Sequence, residues 1–109
     1  MTILEKATAF LPKMSNSEIA QLVQRASHKI AIDFPGIEKN IGVCGGSACV
    51  IRTRIPVWSV VEYMLMGVTN EKLLLNFPTL RPQDLANVWA YYNANKAEID
   101  TEIEENNAD

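Results

Sequence analysis

Two cysteines and one histidine are the side chains of this sequence that most readily suggest metal or redox chemistry. Cys44 and Cys49 form a C-x4-C pair around Gly45-Gly46, and His28 is the only histidine. A structural zinc ion takes four protein ligands, and the chain has no third cysteine. We therefore predict no metal and no other cofactor. The pattern favours two buried thiols beside a glycine turn, although a hairpin disulfide is geometrically allowed.

The same residues do not combine into a catalytic group. His28 has no carboxylate or nucleophile pattern beside it, and Gly45-Gly46 lacks the G-K-[ST] sequence that completes a phosphate-binding loop. No nucleophile, base and orienting group can be assembled from the sequence. We expect the chain not to be an enzyme and not to bind a small-molecule substrate.

Polar side chains at the start of a predicted helix indicate a different function. Arg81, Gln83 and Asn87 follow the tight connection Pro78-Thr79-Leu80 between two predicted helices. In a DNA-binding helix-turn-helix, the first residues of the second helix meet bases and phosphates in the major groove. Glutamine and asparagine can read adenine, and arginine can read guanine or hold a phosphate. We predict that these three residues contact DNA, although an ordinary exposed helix face would show the same pattern.

Two more arginines lie in a strand-like run from Cys49 to Val57. A period of two places Arg52 and Arg54 on one face of that strand. We predict that both contact DNA. Two other roles for these arginines stay open. They could lie on a solvated strand face, or they could form an ion pair with Glu62.

The charge distribution permits a nucleic-acid partner even though the 109-residue, 12.2 kDa chain has a net charge of −3. Six acids and no base fall in residues 98–109, so residues 1–97 hold ten bases against seven acids. Phosphate contacts by a mildly basic body would add across the two copies of a dimer. With 48% hydrophobic residues, the chain can form one ordinary folded domain.

The sequence also predicts where the protein works. The longest apolar stretch, Ile55 to Val68, is interrupted by Ser59 and Glu62, so we expect no membrane span. The first residues show no secretory signal, so we expect a cytoplasmic protein with reduced thiols.

Helical periodicity dominates the rest of the chain. A capping box at Ser15 opens a helix that should stop before Pro35-Gly36, after a shorter helix within residues 3–11. Three further helices are predicted, at Trp58–Met66, from Thr69 to Pro78, and from Pro82 onwards.

The last of these helices carries a long apolar stripe. Trp89 and Tyr92 are continued at helical spacing by Ile99 and Ile103. A helix from Pro82 to about residue 104 would be roughly 35 Å long, which exceeds what a small body can cover. We therefore predict that Trp89, Tyr92, Ile99 and Ile103 form the interface of a homodimer or of another protein complex.

Two long segments and one shorter helix segment carry the most specific pattern. The first segment contains Gly42-Val43-Cys44-Gly45-Gly46, Cys49 and Arg52-Thr53-Arg54-Ile55-Pro56-Val57-Trp58. The second segment is Phe77-Pro78-Thr79-Leu80-Arg81-Pro82-Gln83-Asp84-Leu85. The third is the helix that carries Trp89, Tyr91 and Tyr92. Together they resemble the bacterial domain-of-unknown-function family 433, and the resemblance covers nearly the whole chain. Arg81 stands where this family commonly has a Thr or Ser helix cap.

The resemblance implies a mainly α fold with a three-helix core of the homeodomain-like or winged-helix-like helix-turn-helix kind and a short β-hairpin. Residues 1–34 would be an N-terminal helical extension, and residues 35–109 the hairpin plus helix-turn-helix domain. The resemblance also implies an antitoxin, because family members are often paired with a PIN-like nuclease toxin. Our hypothesis is a homodimeric antitoxin that binds an operator DNA and a PIN-like toxin. The alternative is a protein-interaction module that does not bind DNA.

The acidic end, residues 98–109, has two interpretations. It is either the solvated end of a fraying helix or a charged segment that occupies the basic groove of a nuclease toxin. Negative charge at a helix C-terminus is unfavourable, because it opposes the helix dipole. Binding to a basic groove of the toxin would offset that cost and would explain why the acids are there.

Overall fold

A computed structural model describes residues 1–39 and 44–107. The fold is mainly α with a short β-hairpin, as predicted, and the hairpin belongs to a small antiparallel sheet of three strands. No helix in the described ranges is long and apolar enough to cross a membrane. The helices are α1 Ile3–Thr8, α2 Asn16–Asp33, α3 Val57–Leu65, α4 Asn70–Asn76, α5 Pro82–Ala94 and α6 Lys96–Asn107, and the strands are β1 Ile37–Glu38, β2 Cys49–Val50 and β3 Ile55–Pro56.

Local sequence signals account for the starts of these helices. The backbone N–H of Ser15 donates to Glu18 Oε1 at 3.0 Å, and the N–H of Glu18 donates to Ser15 Oγ at 3.2 Å, which confirms the predicted capping box. Thr69 caps α4 by accepting from the Lys72 N–H at 3.3 Å. Gly67 closes α3 with a φ of +86°, a conformation that favours glycine.

The predicted strand from Cys49 to Val57 is wrong in its middle. The chain turns through residues 51–54, so that Val50 pairs with Ile55 across an antiparallel hairpin. Thr53 stabilises the turn, because its Oγ1 donates to the Val50 carbonyl at 2.9 Å and accepts from the Ile55 N–H at 3.1 Å. Such local side-chain bonds compete with a continuous strand.

The turn also changes the geometry of the two arginines. Arg52 and Arg54 have φ values of +73° and +57°, which non-glycine residues rarely adopt. The prediction that Arg52 and Arg54 share one face of a strand is therefore wrong, because neither residue lies in a strand.

Helix α3 lies at the centre of the core, and α5, α6 and β3 pack around it. Side chains from the sheet and from α3 to α6 meet there. The buried members are Ile37, Ala48, Val50, Val57, Val60, Val61, Leu73, Leu80, Leu85, Val88, Tyr91, Tyr92 and Ile99.

The predicted continuous helix from Pro82 to about residue 104 is also wrong. The chain leaves helical geometry at Asn95, where φ is −138° and ψ is 42°, and the Asn95 side chain donates to the Tyr91 carbonyl at 3.0 Å. Asparagine often bonds to nearby backbone in this way and disfavours a helix interior. The break lets α6 fold back onto α3, so Ile99 is fully buried in the chain's own core.

Two buried tyrosines on α5 form hydrogen bonds to acidic residues of α6. The Tyr91 hydroxyl donates to Glu98 Oε2 at 2.6 Å, and the Tyr92 hydroxyl donates to Asp100 Oδ1 at 2.8 Å. Burial, the hydrogen bond to Glu98 and nearby carboxylate charge raise the pKa of Tyr91. The hydrogen bond to Asp100, together with burial, raises the pKa of Tyr92. Both groups therefore favour the neutral phenol in the folded state.

We expect alkaline pH to weaken the α5–α6 junction. A tyrosine pKa that is higher in the folded than in the unfolded chain gives stability below the unfolded value of about 10 and loses it as pH rises further. The free energy of unfolding in urea should fall above about pH 10, and less steeply in Tyr91→Phe. The control is Tyr63→Phe, because Tyr63 is an exposed side chain on α3. An equal fall in wild type and Tyr91→Phe would contradict this account.

Candidate nucleic-acid interface

Helices α4 and α5 form a helix-turn-helix pair. Leu73 on α4 and Val88 on α5 are both fully buried in the shared core. The five residues between the helices are held by Leu80, which is 5% exposed and whose N–H donates to the Phe77 carbonyl at 2.9 Å. This connection fixes α5 on the body, with the exposed side chains of its first turn directed outwards.

The first turn of α5 is capped by an internal aspartate. The Arg81 N–H donates to Asp84 Oδ2 at 2.8 Å, and the Asp84 N–H donates to the Arg81 carbonyl at 2.9 Å. An arginine side chain has no acceptor, so the bond that a Thr or Ser cap would accept is missing, and the Asp84 carboxylate makes only the reciprocal bond of a capping box. The Arg81 side chain remains exposed at the helix N-terminus, where an anion is favoured.

Arg52 is placed at the same end of α5. Its Nη2 lies 3.6 Å from Asp84 Oδ1, and the Asp84 side chain is 5% exposed while that of Arg52 is 47% exposed. The partner is therefore Asp84 and not Glu62, which accepts from Asn107 Nδ2 at 2.6 Å. The buried carboxylate thus contacts the Arg52 side chain and the Arg81 backbone at one helix end, and the three side chains together carry one net positive charge.

Gln83 and Asn87 lie one turn apart on α5. Gln83 Nε2 donates to Asn87 Oδ1 at 3.1 Å. Gln83 is exposed, but Asn87 is half-buried against the turn at Gly36. A Cβ added to Gly36 would lie 2.3 Å from Asn87 Nδ2. Asn87 therefore orients Gln83 and has less freedom to reach a base itself.

We expect Gly36→Ala to displace Asn87. Gly36 has a φ of +88°, so alanine costs about 1–3 kcal/mol of backbone strain in addition to the contact. Gly67→Ala is the matched control, because its φ is +86° and an added Cβ meets no described atom within 4 Å. In urea unfolding, Gly36→Ala should lose more stability than Gly67→Ala, because the contact with Asn87 adds to the backbone strain that both variants share. Only Gly36→Ala should shift the side-chain amide resonances of Gln83 and Asn87, and an unchanged spectrum would contradict the close packing.

Among the predicted interface residues, Trp89 alone is exposed in the structure. It is 43% exposed and lines an apolar cleft of about 400 Å³ with Met64, Val68 and Leu85. Tyr92 and Ile99 are instead buried, and Ile103 packs against the core. The predicted stripe of Trp89, Tyr92, Ile99 and Ile103 is therefore not one surface, because α6 folds back at Asn95 and covers most of it.

The acidic end is largely part of the body. Glu98 accepts from Tyr91 and pairs with Lys39, and Asp100 accepts from Tyr92. Glu104 and Glu105 are exposed, and Asp109 lies outside the described residues. Glu98 and Asp100, which accept hydrogen bonds from the tyrosines, therefore stabilise the packing of α6 on the body. Neither a solvated helix end nor a toxin-binding segment predicts this role.

Cys49 is fully buried, with its Sγ 4.0 Å from Glu38 Oε1. The Cys44 side chain and the Gly42-Val43 part of the motif lie outside the described residues. Within the described ranges, no three His, Cys, Asp or Glu residues gather in a way that could hold a metal ion.

The core of α3 to α6, the capped start of α5 and the small hairpin define a mainly α protein with a helix-turn-helix pair and an N-terminal helical extension. The chain belongs to the family "Protein of unknown function (DUF433)", which matches residues 37–92. It is similar to a DUF433 member protein from Anabaena variabilis ATCC 29413, whose crystal structure has a TM-score of 0.62 and 34% sequence identity, covering 95% of this chain and 99% of that chain. A comparison with curated proteins gives no match.

Proposed function

We propose that this protein is a DNA-binding regulator of the antitoxin type. The observation that carries the proposal is the N-terminus of α5, where Arg81 and Arg52 flank the buried Asp84 on the second helix of a helix-turn-helix pair. This helix end is where such folds contact the major groove. Arg54, in the same turn as Arg52, is a third exposed arginine.

The contacts divide by chemistry. Arg81, Arg52 and Arg54 would hold phosphates and set the register, because arginine forks match phosphate geometry. Gln83 would read a base edge, with adenine as the preferred base. Asp84 and Asn87 position these side chains from within the protein, through the cap of α5 and the hydrogen bond to Gln83.

The toxin part of the proposal rests on the family resemblance and on a second surface. The cleft with Trp89 and Met64 is apolar and opens between α3, α4 and α5. An exposed tryptophan beside a cleft is typical of a protein-interaction hot spot. A PIN-like nuclease would insert an apolar side chain into this cleft.

The test is binding of the wild-type protein to a duplex from its own promoter. We expect a mobility shift at low salt that is lost as salt rises, because each phosphate contact releases counterions. The antitoxin role also predicts that a PIN-like nuclease is encoded beside this gene and forms a stable complex with the protein that Trp89→Ala weakens.

A shift that is absent at low salt would remove the DNA-binding proposal. If Trp89→Ala still weakened the complex with the nuclease, the alternative of a protein-interaction module without DNA contact would take its place. No complex with that nuclease would remove the antitoxin role.

A further inference from the structure

The N-terminal extension leaves an apolar surface uncovered. None of the residues of α1 or of the 18-residue α2 is buried. Seven of the thirteen large apolar side chains that are exposed in the described residues fall within the first 32 residues. They are Met1, Ile3, Leu4, Phe10, Leu11, Leu22 and Ile32. An amphipathic helix gains most of its stability from burying its apolar face, so this surface is expected to have a partner.

Ile19, Leu22, Val23, Ala26 and Ile30 form an apolar stripe along α2, and the body covers one end of this α2 stripe. Ile30 packs against the core, and the Phe34 ring lies edge-on to Tyr91 at 5.0 Å. Ser27 Oγ donates to the Lys39 carbonyl at 2.8 Å. The same stripe continues towards the N-terminus through Leu22 and Ala26, which are exposed beyond the part of α2 that the core covers. A partner placed there would extend the existing core.

The chain as a whole exposes more surface than a compact domain of its size, which leaves room for a dimer interface. The chain has an accessible surface of 7532 Å², whereas a compact monomer of its mass exposes about 6,100 Å². Its radius of gyration is 15.3 Å, against about 13 Å for a compact domain of this length. The excess exceeds the roughly 800 Å² that each partner buries in a standard interface.

The charges of α2 favour a second copy over other partners. Glu18 and Asp33 balance Arg25 and Lys29, so the helix is neutral apart from His28. A neutral face does not attract DNA or the basic groove of a nuclease. It does complement itself, because two α2 helices in antiparallel order bring Glu18 of one copy near Lys29 of the partner subunit.

We propose that the α2 stripe is the surface through which two copies of this chain form a two-fold dimer. The surface differs from the predicted Trp89–Ile103 stripe and leaves α5 exposed. A two-fold dimer would present two α5 helices, as palindromic operators require. The dimer does not depend on the proposed function, because it is measured without DNA or toxin.

Light scattering of the full chain at about 100 µM tests the proposal, since weak dimers with a Kd of about 1 µM are still formed there. We expect twice the 12.2 kDa chain mass. Leu22→Glu should raise the dimer dissociation constant at least tenfold, because a carboxylate cannot be buried in an apolar interface without a partner. The matched control Leu75→Glu, at a side chain that is 78% exposed on α4, should stay dimeric.

Trp58 and Trp89 both belong to the body, so tryptophan fluorescence during unfolding reports whether each variant still folds. A monomeric wild type would overturn the proposal. This holds also if the N-terminal extension of the monomer binds the nuclease. A Leu22→Glu variant whose dissociation constant, measured by light scattering over a dilution series, rises less than tenfold would overturn the assignment of the surface, as would an equal rise in Leu75→Glu. None of these outcomes affects the test of DNA binding by Arg81.

Discussion

Replacement of Ile99 by alanine should lower the free energy of unfolding by about 2–5 kcal/mol, the range for a large-to-small change in a packed core. Ile99 is fully buried among the core side chains that α6 brings back onto α3. The expectation is specific to the break at Asn95, because an α6 that continued from α5 would leave this side chain at the surface.

Urea unfolding of Ile99→Ala beside Leu75→Ala measures the effect. Leu75 is 78% exposed, and the same loss of three carbon atoms there should change stability by no more than about 0.5 kcal/mol. Similar losses in the two variants would mean that α6 does not pack on the body.

The docking of α6 also changes how the acidic end should be tested. Deleting residues 98–109 would remove Ile99 together with the acceptors of Tyr91 and Tyr92. Any loss of partner binding would then reflect a loosened core. Glu104→Gln with Glu105→Gln is the cleaner variant, because both side chains are exposed and lie outside those contacts.

Much of the fold could be predicted from the sequence because its signals are local. Ser15 with Glu18, Thr69 and Pro82 each mark a helix start through contacts with residues at most three positions away. Gly67 likewise marks a helix end through its own backbone conformation. These choices of residue do not depend on the rest of the chain.

The remaining features depend on contacts between distant residues. The reversal at Asn95 is stabilised by packing of α6 on α3, and the turn at residues 51–54 by pairing of β2 with β3. Helical and alternating periodicities continue through both positions, so the pattern alone indicates one long helix and one long strand. The ion pair of Arg52 with Asp84 joins residues 32 positions apart, and no spacing rule predicts it.

Arg81→Ala and Gln83→Ala should weaken DNA binding in different ways. Arg81 would contact a phosphate, so its loss should weaken binding to all sequences and reduce the salt slope by about one. Gln83 would read a base, so its loss should cost about 1–3 kcal/mol at one base position and relax the preference there. Competition with duplexes changed at single positions distinguishes the two results.

Lys13→Ala is the charge-matched control for Arg81→Ala. Lys13 is an exposed cation in the extension, outside the helix-turn-helix pair. It should leave both the affinity and the salt slope close to those of the wild type. A loss equal to that of Arg81→Ala would show that only the total charge matters.

The most direct test is a fluorescence anisotropy titration of a promoter duplex with wild type, Arg81→Ala and Lys13→Ala, between about 50 and 200 mM salt. The α5 interface predicts that wild type and Lys13→Ala bind with the same steep slope, whereas Arg81→Ala binds more weakly with a slope lower by about one. A wild-type protein that does not bind at the lowest salt, or an Arg81→Ala variant that titrates like the wild type, would contradict it.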